Sequence, residues 1–140
     1  MPISQSPSSR PPIRLLAAES DLIADLALHA ENREPVVAAM LLEEIERAEL
    51  YDAETMPEGH VRLGSKVIFV DERTHEAREV KLVLPADANI AEGRISILTP
   101  MGAALYGLGE GQTIRWPDLF GNYRRIRIIR VKEAGTPPDA

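Results

Sequence analysis

The sequence predicts an α+β protein: two short helices, then a mainly antiparallel sheet that carries one further short helix. Three observations support this. Apolar residues recur at helical spacing between about residues 20 and 49, the period switches to alternation after Val61, and residues 94–116 spell out a strand, a capped helix, a glycine turn and a second strand. In that last stretch Ile95 and Ile97 alternate with Arg94 and Ser96, as in a half-buried strand. Thr99 is placed to cap a helix, with Pro100 at the first helical position, where its missing N–H costs nothing. Met101, Ala104, Leu105 and Leu108 form one apolar stripe, and Gly107 is placed to take the left-handed conformation that stops the helix. Gly109-Glu110-Gly111 reverses the chain into Thr113, Ile114, Arg115 and Trp116.

The other elements follow in order. Residues 1–12, rich in serine and proline, are expected to be disordered. Ile13-Arg14-Leu15-Leu16 reads as a short extended segment. A first helix is expected after Ser20, running to about Ala30 with Leu22, Ile23, Leu26, Ala27 and Ala30 as its apolar stripe. Glu31-Asn32-Arg33 is the turn. A second helix opens on Pro35 and faces the first with Val37, Met40, Leu41, Ile45 and Ala48, which makes an antiparallel hairpin over residues 13–55. Residues 56–133 form the sheet domain. Its strand at Val67–Phe69 reads as buried on both faces, Asp71–Glu76 as a polar hairpin loop, and Glu79–Leu84 as the return strand. Pro85–Asn89 is a further turn, Pro117–Asn122 another, and Tyr123–Val131 the last strand. Residues 134–140 read as a loose tail.

A chain of 140 residues buries roughly two-thirds of its unfolded surface, enough for one modest core. Without cysteine it has neither disulfides nor thiolate metal sites, which suits a reducing cytoplasm. No apolar run reaches the ~18 residues of a spanning helix, and no secretory signal is expected. Residues 1–60 carry four basic and twelve acidic side chains, and residues 61–140 carry twelve and ten. The acidic first part argues against duplex DNA as a sequence-specific ligand and suits a partner with a basic surface. His29, His60 and His75 have no metal-ligand spacing, Gly107, Gly109 and Gly111 follow a helix rather than opening one, and no phosphate loop is present. No catalytic, metal or cofactor site is expected. The arginine-rich run Tyr123–Arg130 invites a nucleic-acid reading, but the simpler reading is an edge strand guarded by charge.

The segment from Arg94 to Trp116 resembles the C-terminal domain of the GreA/GreB transcript-cleavage factors, where a strand ending in Ser-Pro-Leu enters a short helix and a glycine-rich turn. Val61–Val67 is similar to that domain's opening strand. Arg10-Pro11-Pro12-Ile13, the two helices and Met56-Pro57 narrow the resemblance to the short relatives called regulators of nucleoside diphosphate kinase, the Rnk type. The resemblance implies an FKBP-like sheet domain, RNA polymerase as partner, and a link to nucleoside diphosphate kinase levels. Cleavage factors thread a long coiled coil into the polymerase secondary channel and hold magnesium with acidic residues at its tip. Here each helix has ~12–15 residues and so spans ~20 Å, and the tip offers Glu31, Asn32, Arg33 and Glu34. The expectation is therefore a non-catalytic regulator that docks through Leu98, Thr99, Pro100 and Met101, competes with cleavage factors and stimulates no cleavage. The alternative is a free-standing peptide-binding or prolyl-isomerase-like module. A pocket of that kind needs several aromatics, and the chain has six, with Phe69 and Trp116 assigned to the core.

Overall fold

In the computed structural model, residues 12–117 and 123–132 are described. The expectations for residues 1–11, 118–122 and 133–140, and for the Trp116 side chain, lie outside the described set.

The chain opens with strand β1 (Arg14–Leu16), which runs without a break into helix α1 (Ala17–Ala30). Helix α1 therefore starts four residues before Asp21, the first residue expected in it. Ser20 is no cap: it is buried, and its hydroxyl donates back to the Ala17 carbonyl at 2.8 Å. Ala17 and Ala18 are strong helix formers, and Glu19 puts negative charge in the first turn, where the helix dipole favours it. On the expected stripe Ile23, Ala27 and Ala30 are buried, whereas Leu22 is 51% exposed.

Helix α2 (Pro35–Arg47) begins on its proline as expected and packs against α1. It stops at Arg47, because Ala48 turns extended and leads into strand β2 (Glu49–Tyr51). β2 lies parallel to β1, with Arg14 opposite Glu49 and their side chains 3.1 Å apart. Parallel strands need a crossover connection, and the two helices supply it. The sequence did not show this small sheet, since three residues are too few for a period to be read. On α2, Val37, Ala38 and Leu41 are buried together with Glu44, whose carboxylate accepts bonds from Arg47 at 2.6 and 3.1 Å. After β2, Asp52 closes a turn by accepting bonds from the Thr55 hydroxyl and from the Glu54 and Thr55 amides.

The main sheet has five strands: β3 (Lys66–Asp71), β4 (Glu76–Val83), β5 (Arg94–Ser96), β6 (Thr113–Pro117) and β7 (Tyr123–Lys132). Their spatial order is β5-β4-β3-β7-β6, antiparallel throughout except for the parallel β4–β5 pair. The expected opening strand at Val61–Val67 is corrected to a start at Lys66. Gly64 adopts a left-handed φ of 87°, and Ser65 closes a turn on Arg62 through both its amide and its hydroxyl. The 85–89 turn continues as two short 3-10 turns, Pro85–Asp87 and Ile90–Glu92.

One sheet face is the core wall. Val67, Phe69, Val80, Leu82, Ile95, Ile114, Ile126, Ile128 and Val131 are buried there, while Ile68 and Val70 on the opposite face are only half-buried. The register of β3 on β7 slips between Ile68 and Phe69, leaving Ile129 as the extra residue. This bulge explains the Ile128-Ile129 pair: Ile126 and Ile128 point inward, Ile129 is 46% exposed, and Val131 returns to the core. The same topology overturns the edge-strand reading of the arginine-rich run. β7 lies between β3 and β6, so its charges guard no edge.

Helix α3 (Pro100–Leu105) packs on β5 and α2. It ends one turn earlier than Leu108, at Tyr106, and Gly107 takes φ 86°. Around Gly107 three segments meet: its own, residues 13–15 and residues 60–61. Its carbonyl accepts the Arg14 amide at 3.2 Å and lies 3.1 Å from His60 Nδ1, and its amide donates to Val61 O at 2.9 Å. A Cβ there would lie 2.8 Å from Ile13 Cβ and 2.9 Å from a Leu15 methyl. Gly107→Ala therefore combines left-handed strain with core overpacking, and is expected to cost about 2–4 kcal/mol, read as a lower urea midpoint.

Candidate functional site

The candidate site is the entry to α3. β5 ends at Ser96, which is buried, and its hydroxyl accepts the Leu98 amide at 2.9 Å. The Ser96 carbonyl accepts both the Thr99 hydroxyl at 2.7 Å and the Thr99 amide at 3.2 Å. Thr99 Oγ1 in turn accepts the Gly102 amide at 3.0 Å, which is the helix N-cap read from the sequence. Gly102 lets the helix sit this close: a Cβ would fall 2.1 Å from Ser96 O. The loop is thus held rigidly from both ends.

That scaffold divides the four expected residues by role. Thr99 is spent on the cap, whereas Leu98 and Met101 rest on the core with part of their surface still exposed, and Pro100 is half-exposed beside them. Met101 also borders a hollow of about 110 Å³ with Phe69, Asp71, Thr74, Glu76, Arg78 and Ile126. No local stretch of sequence points to this neighbourhood, because it is made largely by the β3–β4 hairpin some thirty residues earlier in the chain. A second hollow, of about 350 Å³, lies beside His60 and is lined by Pro12, Arg14, Glu58, Gly59, Gly109, Glu110 and Gln112, with no aromatic among them.

The helix tip is a separate surface. Glu31, Asn32, Arg33 and Glu34 are all exposed, and the turn is closed by the Arg33 and Glu34 amides, which donate to Ala30 O at 3.0 and 2.8 Å. The structure does not bring the tip and the α3 entry together into one contact. Among the described residues, no three His, Asp or Glu side chains come together as a metal site. His29 Nδ1 lies 2.8 Å from the Asp25 carbonyl of its own helix.

Between helices and sheet lies a polar seam that sequence reasoning missed. Glu19 of α1 reaches across and accepts the Leu63 amide at 3.0 Å. Burial pushes the Glu19 carboxyl above the usual carboxylate range, against the bond from Leu63, the nearby Tyr106 side chain and the Arg62 charge. Tyr106 is fully buried and its hydroxyl makes no hydrogen bond of good geometry. Burial first, and then the Glu19 charge, push its pKa far up. The sequence does not point to the pair, since Glu19 and Tyr106 lie far apart in the chain.

With this geometry in view, known proteins can be compared. Residues 56–133 match the family model "Transcription elongation factor, GreA/GreB, C-term". The chain is 35% identical over 133 residues to the transcription elongation factor GreA of Brucella canis, covering 89% of this chain and 84% of that one, and equally so to that of Brucella suis. The chain belongs to the GreA/GreB family of transcription elongation factors. A solved family structure, the prokaryotic transcription elongation factor GreA/GreB from Nitrosomonas europaea, superposes with a TM-score of 0.71 at 32% identity, covering 86% of this chain and 99% of that chain. The family match includes the α3 entry, and the GreA alignment is long enough to reach into the helix pair as well. No helix among the described residues is long and apolar enough to cross a membrane.

Two predictions follow from the scaffold and the seam. Thr99→Ala is expected to cost about 1 kcal/mol by loss of the cap, with Thr99→Ser restoring most of it, in denaturant titrations. Because the folded-state pKa of Glu19 is raised from 4.5, the native state holds its proton longer than the unfolded state does, so this group's contribution falls as pH rises above about 4.5. Glu19→Gln keeps an acceptor for Leu63 without the buried charge. It is expected to melt no lower than wild type at pH 7, and to lose any advantage below pH 4.

Proposed function

We propose that this protein is a non-catalytic, Rnk-type member of the family that binds bacterial RNA polymerase near the entrance of its secondary channel. It docks through the exposed surfaces of Leu98, Pro100 and Met101, which Thr99 holds in place, on an FKBP-like domain. It presents the helix hairpin with Glu31, Asn32, Arg33 and Glu34 at the channel mouth and competes there with GreA/GreB-type factors. It acts in the cytoplasm and is linked to nucleoside diphosphate kinase levels.

The observation that carries this reading is helix length. α1 has 14 residues and α2 has 13, which at 1.5 Å per residue gives an arm of roughly 20 Å. That is much shorter than the coiled coil expected of a cleavage factor. At the tip Arg33 stands between the two carboxylates, where a magnesium site calls for clustered oxygen ligands. Docking without chemistry is what such an arm can deliver.

Binding to purified core polymerase, with and without a GreA-type competitor, tests the proposal. Competed binding is expected, and backtracked complexes are expected to show no endonucleolytic RNA cleavage. Pro100→Ala with Met101→Ala should weaken binding by about tenfold, the loss of one or two modest interface anchors, without lowering the melting temperature by more than a few degrees. Cleavage stimulation, or prolyl-peptide isomerisation in place of polymerase binding, would overturn it.

A further inference from the structure

The outward face of the sheet carries a feature that the docking role does not use. The register puts Arg94 of β5 opposite Lys81 of β4, Lys81 opposite Lys66 of β3, and Lys66 opposite Lys132 of β7. Their neighbours Ile95, Leu82, Val80, Val67 and Val131 are buried on the core side, so the four cations share the solvent side. Adjacent strands lie about 4.8 Å apart, so the row spans roughly 14 Å. Like charges placed directly opposite one another across strands are destabilising, and here the arrangement is repeated over three strand pairs.

The acids on this face offset the row only in part, with Glu79 and Glu92 lining one hollow together with Lys66, Lys81 and Arg94. Glu92 takes Arg94 at 2.6 Å, and Glu72 sits at the far end between Arg125 and Arg127, at 3.9 and 3.5 Å. Glu79 stands one position along, opposite Ile68, with Arg130 on the other side of that isoleucine. None of the three lysines has an ion-pair partner among the described residues. The bulge then presses Ile129, 46% exposed, out beside Arg130.

The arginine-rich run of β7 was explained in the sequence as the guard of a sheet edge, and the observed strand order removes that explanation. No other basic run reinforces it along the chain, but the fold gathers one from four strands. A row of cations, one per strand at the strand spacing, fits a linear polyanion better than a compact anion. We propose that this face binds the phosphodiester backbone of single-stranded RNA along the row Arg94–Lys81–Lys66–Lys132, with Ile129 offering an apolar surface to a ribose or base. The choice of RNA rests on the transcriptional role proposed above, because the transcript is the single strand that elongation produces. The acidic helices, which repel phosphates, confine the contact to the sheet.

The test is fluorescence anisotropy with a labelled twelve-nucleotide oligouridylate, the full-length protein and no polymerase. Binding is expected at about 25 mM salt, with an affinity that falls as salt rises at a log–log slope of about 2–3, the value for three or four phosphates at ~0.7 each on a single strand. Lys66→Glu with Lys81→Glu should weaken it by at least about tenfold. The neutral pair Lys66→Gln with Lys81→Gln should lower the slope by about 1.4 and melt no lower than wild type, which separates lost contacts from lost fold. Pro100→Ala with Met101→Ala should leave oligouridylate binding unchanged, so this proposal and polymerase docking can fail separately. No binding at low salt, or equal binding by the Lys66/Lys81 variants, would overturn the proposal. Equal affinity for oligothymidylate would overturn the assignment to RNA, and preference for a poly-glutamate peptide would assign the face to an acidic protein instead.

Discussion

The architecture depends on the close approach of three segments at Gly107. Its backbone leaves α3 in the left-handed region, and both its polar groups bond away from that helix: the carbonyl toward Arg14 and His60, the amide toward Val61. The Ile13 and Leu15 side chains fill the space that a side chain at 107 would need. One residue thereby ties β1, and through it the helix pair, to the segment leading into β3. The tie is mostly backbone, and so demands absence of bulk rather than a particular side chain. The Glu19–Leu63 bond is a second link across the same boundary, and the buried Tyr106 next to Gly107 closes it off from water.

A second close approach sets the site. Gly102 lies so near the Ser96 carbonyl that α3 can only start where Thr99 caps it. Ser96, Thr99 and Gly102 are occupied with one another, which leaves Leu98, Pro100 and Met101 as the surfaces that can meet a partner. A partner contact made by such a loop loses little conformational entropy on binding, because the loop is already ordered. The helix tip is different in kind: six exposed residues from Glu31 to Val36, held by backbone bonds of a turn.

Charge is divided between the two halves of the molecule. The helices hold most of the acidic excess, and the solvent face of the sheet holds the cations. Summed over the chain, the net charge of −6 shows only the acidic excess and hides the cations of the sheet. A net value says little about what either face can bind, since interactions between exposed charges fade beyond about 10 Å at ordinary salt.

The sequence by itself determined the elements whose causes are local. Pro35 opening α2, Thr99 and Pro100 opening α3, and the left-handed Gly107 are each set by backbone geometry within a few residues. So was the mainly antiparallel sheet. Local signals also misled, as when the helix expected after Ser20 began at Ala17, and when Val61 read as the start of a strand that begins at Lys66. Tertiary structure alone decided what depends on pairing between distant segments. It made β1 and β2 a small parallel sheet and set β7 inside the main sheet rather than at its edge. It also joined Glu19 to Leu63 and aligned four cations in one row. Strand order and register arise from burying one face of each element against another, and no window of sequence contains both partners.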